Sequence, residues 1–587
     1  MPNTQSKPTP RGKKTSIFAI IIFVVLLCVL AFFVWKNAAI STTEGEDETI
    51  HPIATIRPTK KPKDSPQPEQ SQEPELPVFA PAAVEGTKPE RLIASTGIMV
   101  NGGTVDSFKF KEPFDFGLPQ DYTDVEGIVT FRGNNFRDSA SYGTANIKTG
   151  KFSKTPWKVR TASLQAPDGN VWTGSGWVGQ PLVMTWPKNV RAHMNMYDFA
   201  KNAEKLTEVI YATMDGNVYF IDLATGQKTR DDLILGYTFK GAGALDPRGY
   251  PILYLGSGYN STKGTSHAFI INLLDCSVMH EFGAADPYSL RGSLSFFDGS
   301  ALVDAEGDRL IYPGENGILY IIKLNTNYDP DAGTLSIAPS DVVKWRYNGV
   351  RSSQQKYWLG MEDSAIIWRS HIIMSDNGGN LMCLNLNTLK LEWVQDVLDD
   401  TNCTPVLELE NGHPYVYTST SFHGGWRAPS NGTVNIPIWK IDAVSGEIVW
   451  KKEYDCYTQD GVSGGVQGTL ALGKNGLKDL IFVPVAKTPS PSSGILVALN
   501  KQTGEVVWEL ETQMYAWSSP VAVYDSQGKG YLVFCTAGGY MYLIDGLTKE
   551  VLDFVDVGGN VEASPIVFNN KVVVGTRTQE IWGIDIG

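Results

Sequence analysis

The sequence is short of the groups that most enzyme chemistry needs. It has only seven histidines in 587 residues, with no His-Glu-x-x-His spacing, no Ser-His-Asp order and no phosphate-binding loop, so zinc hydrolysis, triad chemistry and nucleotide hydrolysis have no motif to rest on. No Cys-x-x-Cys-His occurs, which excludes covalently attached haem, and no two cysteines are adjacent. Beyond Cys28 the cysteines are Cys276, Cys383, Cys403, Cys456 and Cys535, an odd number scattered along the chain; a bond between Cys403 and Cys456 is conceivable. No long basic run lies in the part expected to fold, and acids outnumber bases 63 to 50. That balance disfavours a nucleic-acid partner.

Long apolar runs are also scarce, with one exception. Ile17 to Trp35 is unbroken, and nineteen residues at about 1.5 Å each span roughly 28 Å, enough for the hydrocarbon layer. Lys7, Arg11, Lys13 and Lys14 precede it, while Glu44, Glu46, Asp47 and Glu48 follow. The charge asymmetry places a cytoplasmic tail at 1–15, a transmembrane helix at 16–36 and everything later outside the cytoplasm, in a single-pass cell-membrane protein. A cleaved signal peptide is the competing reading, with Asn37-Ala38-Ala39 only a fair cleavage site. Residues 37–90 are rich in Pro, Glu, Gln, Ser and Thr; such a stretch buries too little apolar surface to offset its ordering entropy and reads as a disordered stalk. Residues 91–125 hold short apolar stretches that read as a flap on the main domain.

What is abundant is a phrase. Gly494-Ile-Leu-Val-Ala-Leu-Asn500-Lys-Gln-Thr-Gly504-Glu-Val-Val-Trp508 reads as strand, tight turn, strand, because apolar residues alternate on both sides of Thr-Gly. Its marker Asp or Asn recurs at 222, 272, 325, 385, 442, 500, 545 and 585. Eight units of roughly 40–60 residues, each with about four strands, predict an all-β, eight-bladed propeller over 126–587. Thr155-Pro-Trp157-Lys-Val-Arg160 looks like a last strand without its first three, and Ala563 to Asp585 supplies three strands without a last. Joining them gives a closing blade shared by both ends of the domain, which removes open sheet edges. Trp157, Trp345, Trp393, Trp450 and Trp508 are expected to wedge between blades.

The repeat (Leu/Ile)-(Tyr/Val)-Ala-Leu-(Asp/Asn)-x-x-Thr-Gly-x-x-x-Trp, the phrase Phe131-Arg-Gly-Asn134 and the split blade resemble the PQQ-like propellers, a superfamily that includes quinoprotein alcohol dehydrogenases and BamB-type assembly scaffolds. The resemblance covers about 125–587 and is specific for the fold, not for function. In its enzyme branch it implies PQQ, a calcium ion, an acidic base and usually a disulfide between adjacent cysteines. This sequence lacks that cysteine pair, so the reading is a non-catalytic binding or assembly scaffold for envelope or cell-wall proteins, with no cofactor. The alternative is a PQQ- or metal-dependent oxidoreductase with a degenerate site.

Two places stand out as candidate sites. Asp298, Glu362, Asn402, Trp517 and Glu562 each stand three positions before the proline, or its equivalent, that opens an inner strand. They should share one level of the ring, where Asp298, Glu362, Asn402 and Glu562 are candidates to hold a hard, oxygen-liking cation; the plainer reading is a wet channel mouth. The insertion carrying Phe422, His423, Trp426 and Arg427 is, with Trp517, a candidate protein-binding surface. Gln354 to Trp358 and the region of Trp172 and Trp177 invite the same reading, and exposed Trp leaves glycan binding as a third option. The insertion Lys188 to Glu208 is expected to pack a short amphipathic helix on the propeller through its Met and aromatic face.

Overall fold

The computed structural model describes residues 78–292, 294–351, 359–422, 427, 432–458 and 463–587. The expected transmembrane run and most of the expected stalk lie outside these residues; among the described residues no helix is long and apolar enough to cross a membrane. The domain is an eight-bladed, almost entirely β propeller. Blades 4 to 7 are regular four-stranded antiparallel sheets, for example Leu480–Ala486, Gly494–Asn500 and Val506–Thr512 following the inner pair Ala471–Leu472 in blade 6. Blade 8 joins Ile566–Phe568, Lys571–Gly575 and Glu580–Asp585 to Trp157–Arg160, with Ile581 opposite Val159. The ring therefore closes as the sequence predicts.

The repeated phrase builds the seams between blades. In six of the eight copies the Asp or Asn ends the third strand and its carboxylate or amide oxygen accepts from the turn, for example Asn500 Oδ1 from the Gln502 and Thr503 N–H groups and Asp442 Oδ1 from those of Val444 and Ser445. Gly504 then adopts φ +71°, which is left-handed and costs an L side chain energy. The reason only glycine fits is also steric, since a Cβ there would stand 2.7 Å from the Trp450 ring of the preceding blade. Trp450 Nε1 donates to Lys501 O at 2.8 Å; Trp157, Trp393 and Trp508 donate likewise to Leu223, Ala443 and Gly546. Trp345 departs from this pattern. It is fully buried and its Nε1 has no partner, because another strand covers its blade.

That strand comes from the expected flap. Ile93–Val100 adds to Ser340–Gly349, pairing Ile98 with Trp345, and makes blade 3 six-stranded with Gly103–Val105. Just before it, within the span expected to be stalk, Phe79 is buried against Trp368 at 4.7 Å, and Thr87 Oγ1 donates to Ser445 O. Further along, the Arg309 guanidinium lies 3.5 Å from the Phe114 ring centroid. Residues 78–122 thus strap blades 3 to 5, and over 78–90, the described end of the expected stalk, a few anchors such as Phe79 and Thr87 order the chain.

Residues 127–142 run across the axis and plug one end of it. Their backbone pairs with inner strands of several blades, through Leu245 N to Val129 O, Ile367 N to Asn135 O, Leu407 N to Phe136 O and Val567 N to Ala140 O. Two buried arginines complete the plug. Arg137 donates to Ala365 O, Ser300 O, Phe131 O and Thr130 Oγ1; Arg132 donates to Pro520 O and Leu470 O. Around the axis the inner strands are stitched by hydroxyls, with Ser300 N to Ser364 Oγ, Ser364 N to Thr404 Oγ1, Thr469 N to Ser519 Oγ and Ser519 N to Ser564 Oγ. Small polar residues at these positions therefore satisfy backbone groups as well as fitting a crowded centre.

Two expectations need correction. Cys403 and Cys456 are both free: Cys403 precedes the innermost strand of blade 5 and Cys456 sits on its outermost, with His413–Ser419 and Gly432–Asp442 between them, and strands lie about 4.8 Å apart. The 188–208 insertion forms two short helices, Lys188–His193 and Asp198–Asn202. Met194 and Met196 are buried as expected, whereas Tyr197 and Phe199 stay exposed. Arg191, fully buried, holds the pair by donating to the carbonyls of Trp186, Ala200 and Ala203.

Candidate functional site: an acidic funnel under an aromatic mouth

The end of the axis opposite the plug carries the charged side chains. Asp298, Glu362 and Asn402 line one cavity with Asp363, Lys240 and Trp177, leaving about 20 Å³ for a water-sized guest. Three of the oxygens facing this region, Asp298 Oδ1, Asp363 Oδ1 and Ser300 Oγ, have no hydrogen-bond partner. Lys240 Nζ lies 3.1 Å from Asp298 Oδ2 and 4.4 Å from the Trp177 ring centroid. Glu562 and Trp517 do not enter this cavity. They meet Trp177 from its other side, Glu562 Oε2 at 3.4 Å from the Trp177 N–H and the Trp517 ring at 6.4 Å, while Trp177 Nε1 donates to Glu362 Oε1 at 3.3 Å. Trp177 therefore divides the predicted ring of residues in two. It sits in a tight turn with φ +49° between Gly174 and Gly179, its carbonyl accepting from the Gly179 N–H. A bulky residue in left-handed backbone marks local strain of the kind found at binding sites.

The residue that sequence reasoning missed is Glu315. One ligand oxygen from each of Asp298, Glu315 and Glu362 falls within 4.8 Å of the others. Arg291 Nη1 donates to Glu315 Oε1 at 3.0 Å and to Asn377 Oδ1 at 3.0 Å, and Asn377 Nδ2 donates to Glu362 Oε2 at 2.9 Å. Burial, with the Glu362 charge added, pushes the Glu315 carboxyl up to about 8 against the pull of Arg291. Burial likewise raises Asp298 to about 6, with Lys240 opposing, and holds Asp363 well above the usual carboxylate range. At Lys240 burial opposes protonation, but the Asp298, Glu315 and Glu362 charges outweigh it and the pKa is raised. A signal for Glu315 was present. It stands two residues before the glycine of its inter-strand turn, as Met214, Asn377, Ala537 and, without the glycine, Arg577 stand in theirs. Aligning these turns would have shown a second ring, since Arg577 touches both Met214 Sδ and Glu562.

The predicted blade-five surface is only partly described. Phe422 is fully buried in the core of blades 5 and 6, so it cannot contact a partner. Arg427 Nη2 donates to Asn435 O. His423, Trp426 and the stretch Gln354–Trp358 lie outside the described residues.

A family model described as "Outer membrane protein assembly factor BamB" matches residues 360–515 and 492–587. The matched residues lie in blades 4 to 8 of the eight-bladed propeller. Among solved structures the chain is similar to BamB from Moraxella catarrhalis, at 15% identity over 73% of this chain and 98% of that one, with a TM-score of 0.42. It is also similar to quinohemoprotein alcohol dehydrogenase from Comamonas testosteroni, at 13% identity over 80% and 81% with a TM-score of 0.39, and to a europium-containing methanol dehydrogenase, at 12% identity over 79% and 100% with a TM-score of 0.38. Comparison with curated proteins finds no match.

Proposed function

We propose that the protein is a membrane-anchored, extracytoplasmic, non-catalytic scaffold that binds or assembles proteins of the envelope or cell wall. The observation that carries this reading is the filled funnel: Trp177 and Lys240 occupy the place where a propeller enzyme would need an open pocket, and about 20 Å³ remains. Small-molecule sites usually offer about 300–1,000 Å³. PQQ, which carries three carboxyl groups, would also face Asp298, Glu315 and Glu362, with Lys240 already committed to Asp298. The residues present do not fit it. The family model named for an assembly factor supports the scaffold class. Cross-linking in intact membranes, followed by purification of the full chain, should recover a defined extracytoplasmic protein; recovery of no partner would count against the proposal.

A second reading is favoured by one observation, the convergence of Asp298, Glu315 and Glu362 beside unpartnered oxygens. A hard cation without PQQ would be held by these three carboxylates, with Asn402 near the same cavity. Calorimetric titration of the full chain with Ca²⁺, with and without PQQ, decides it. Saturable heats lost in Glu362→Gln support the cation, and flat heats on folded protein remove it.

A further inference from the structure

Between the closing strand Trp157–Arg160 and blade 1 the chain makes a hairpin, Ser163–Gln165 and Val171–Thr173, whose strands pair with each other in a two-stranded sheet of their own. Of residues 162–173 only Ala166 is buried, so little apolar area holds this hairpin down. Its two roots are tied to the propeller. At one, the Thr161 N–H donates to Gln579 O at 2.9 Å and the Ala162 N–H to Asp215 Oδ2 at 2.6 Å; at the other, the Met214 N–H donates to Gly174 O at 2.9 Å. Between the roots, Tyr259 OH of blade 2 donates to Asp168 at the hairpin's tip, and Thr173 Oγ1 donates to Arg577 O of blade 8 at 3.0 Å.

What the hairpin carries over the funnel is Trp172. Its ring lies 6.2 Å from that of Trp177 and 5.0 Å from that of Tyr259, and Lys240 Nζ and the Arg577 guanidinium each stand 6.0 Å from it. Beneath this cover the Lys240 and Asp298 side chains are only 7% and 4% exposed. The closed seat is imperfect. Thr161 Oγ1 and Trp172 Nε1 are buried without a partner; water would satisfy both when the hairpin lifts, which lowers the free energy of opening. Gly174 takes φ +59°, and a Cβ there would stand 2.1 Å from Thr576 O, so this root is a close approach of backbones rather than side-chain packing. A thinly packed segment of this kind opens locally while the core around it stays folded.

We propose that residues 162–173 form a lid on the funnel, lifting as a unit about Thr161 and Gly174. Closed, it gives the filled funnel described above. Open, it takes Trp172 away from Trp177, and Lys240 meets solvent with Asp298, Glu315 and Glu362 beside it. The carboxylates stay where they are, so opening does not create a fit for PQQ; it makes entry of a cationic guest a gated step. Lid opening itself needs no guest, so its test is independent of the scaffold and cation readings. The full chain in detergent is treated with N-hydroxysuccinimidyl acetate, and acetylation of Lys240 is followed by peptide mass spectrometry. Lys501, 3% exposed in the turn that receives Trp450, monitors wider unfolding. Tyr259→Phe and Thr173→Val each remove one hydroxyl and keep the side chain's bulk, so neither opens a hole beside Lys240. Each should raise the Lys240 rate at least about threefold for the lost hydrogen bond, and the double variant by about the product of the two, with Lys501 unchanged. Should the double variant fail to fold, the single variants carry the test. A Lys240 rate equal in wild type and variants, or one that rises only in step with Lys501, overturns the lid.

Discussion

Glu315 gives the sharpest test of the funnel's electrostatics. Its folded pKa, about 8, lies above the ordinary 4.5. Between those values the native state holds a proton that the unfolded chain has released, so stability is greatest at low pH and falls as pH rises through the folded pKa. One proton is worth about 1.4 kcal/mol per pH unit; from pH 6 to pH 8, with titration half complete at the upper end, the loss comes to about 2 kcal/mol. Glu315→Gln cannot ionise, yet its amide oxygen still accepts from Arg291. The stability difference in favour of the variant should widen by about 2 kcal/mol between pH 6 and pH 8, which is about 2 °C in Tm for a chain of this size. Urea unfolding at both pH values isolates the effect, because Asp298, Asp363 and other titrating groups are common to both proteins. If the difference between the two proteins is the same at pH 6 and pH 8, or widens in favour of the wild type, Glu315 is not held protonated by its surroundings and the account of the funnel fails. Calcium bound by the trio would reverse the trend, stabilising the wild type at pH 8 and leaving Glu315→Gln little changed.

Two further outcomes test the seams and the plug. Trp450→Ala removes a ring packed on Gly504 and the hydrogen bond to Lys501 O; a loss of about 3–5 kcal/mol is expected from urea unfolding, whereas Trp450→Phe should keep most of the packing. Arg137→Met leaves the Ala365, Ser300 and Phe131 carbonyls and the Thr130 hydroxyl without their donor. At about 1 kcal/mol or more for each abandoned acceptor, Tm should fall by several degrees, and limited proteolysis should begin near the axial plug. An unchanged Tm would mean that the plug is not what holds the inner strands together.

The fold was legible because propeller repeats are local. Most marker Asp or Asn residues cap their own turns, each Thr-Gly makes its own hairpin, and in four blades a tryptophan a few residues on meets the next copy of the same turn, so one repeated phrase specifies both strands and seams. The same locality made the split closing blade visible as two incomplete copies. The site was legible only in part. Asp298, Glu362 and Asn402 share a register position and do share a cavity, but register says nothing about which side of a bulky residue a side chain will fall. Trp177, held in a left-handed turn between glycines, sends Glu562 and Trp517 to its far side. Tertiary structure alone decided that Phe422 turns inward and that residues 78–122 strap blades 3 to 5, whereas the turn position of Glu315 was readable by aligning the repeats. Each of these depends on groups tens to hundreds of residues apart meeting at the axis or rim of the ring. Sequence patterning reports the period of a strand, and where eight strands converge the outcome is set by volume and charge that no single repeat contains.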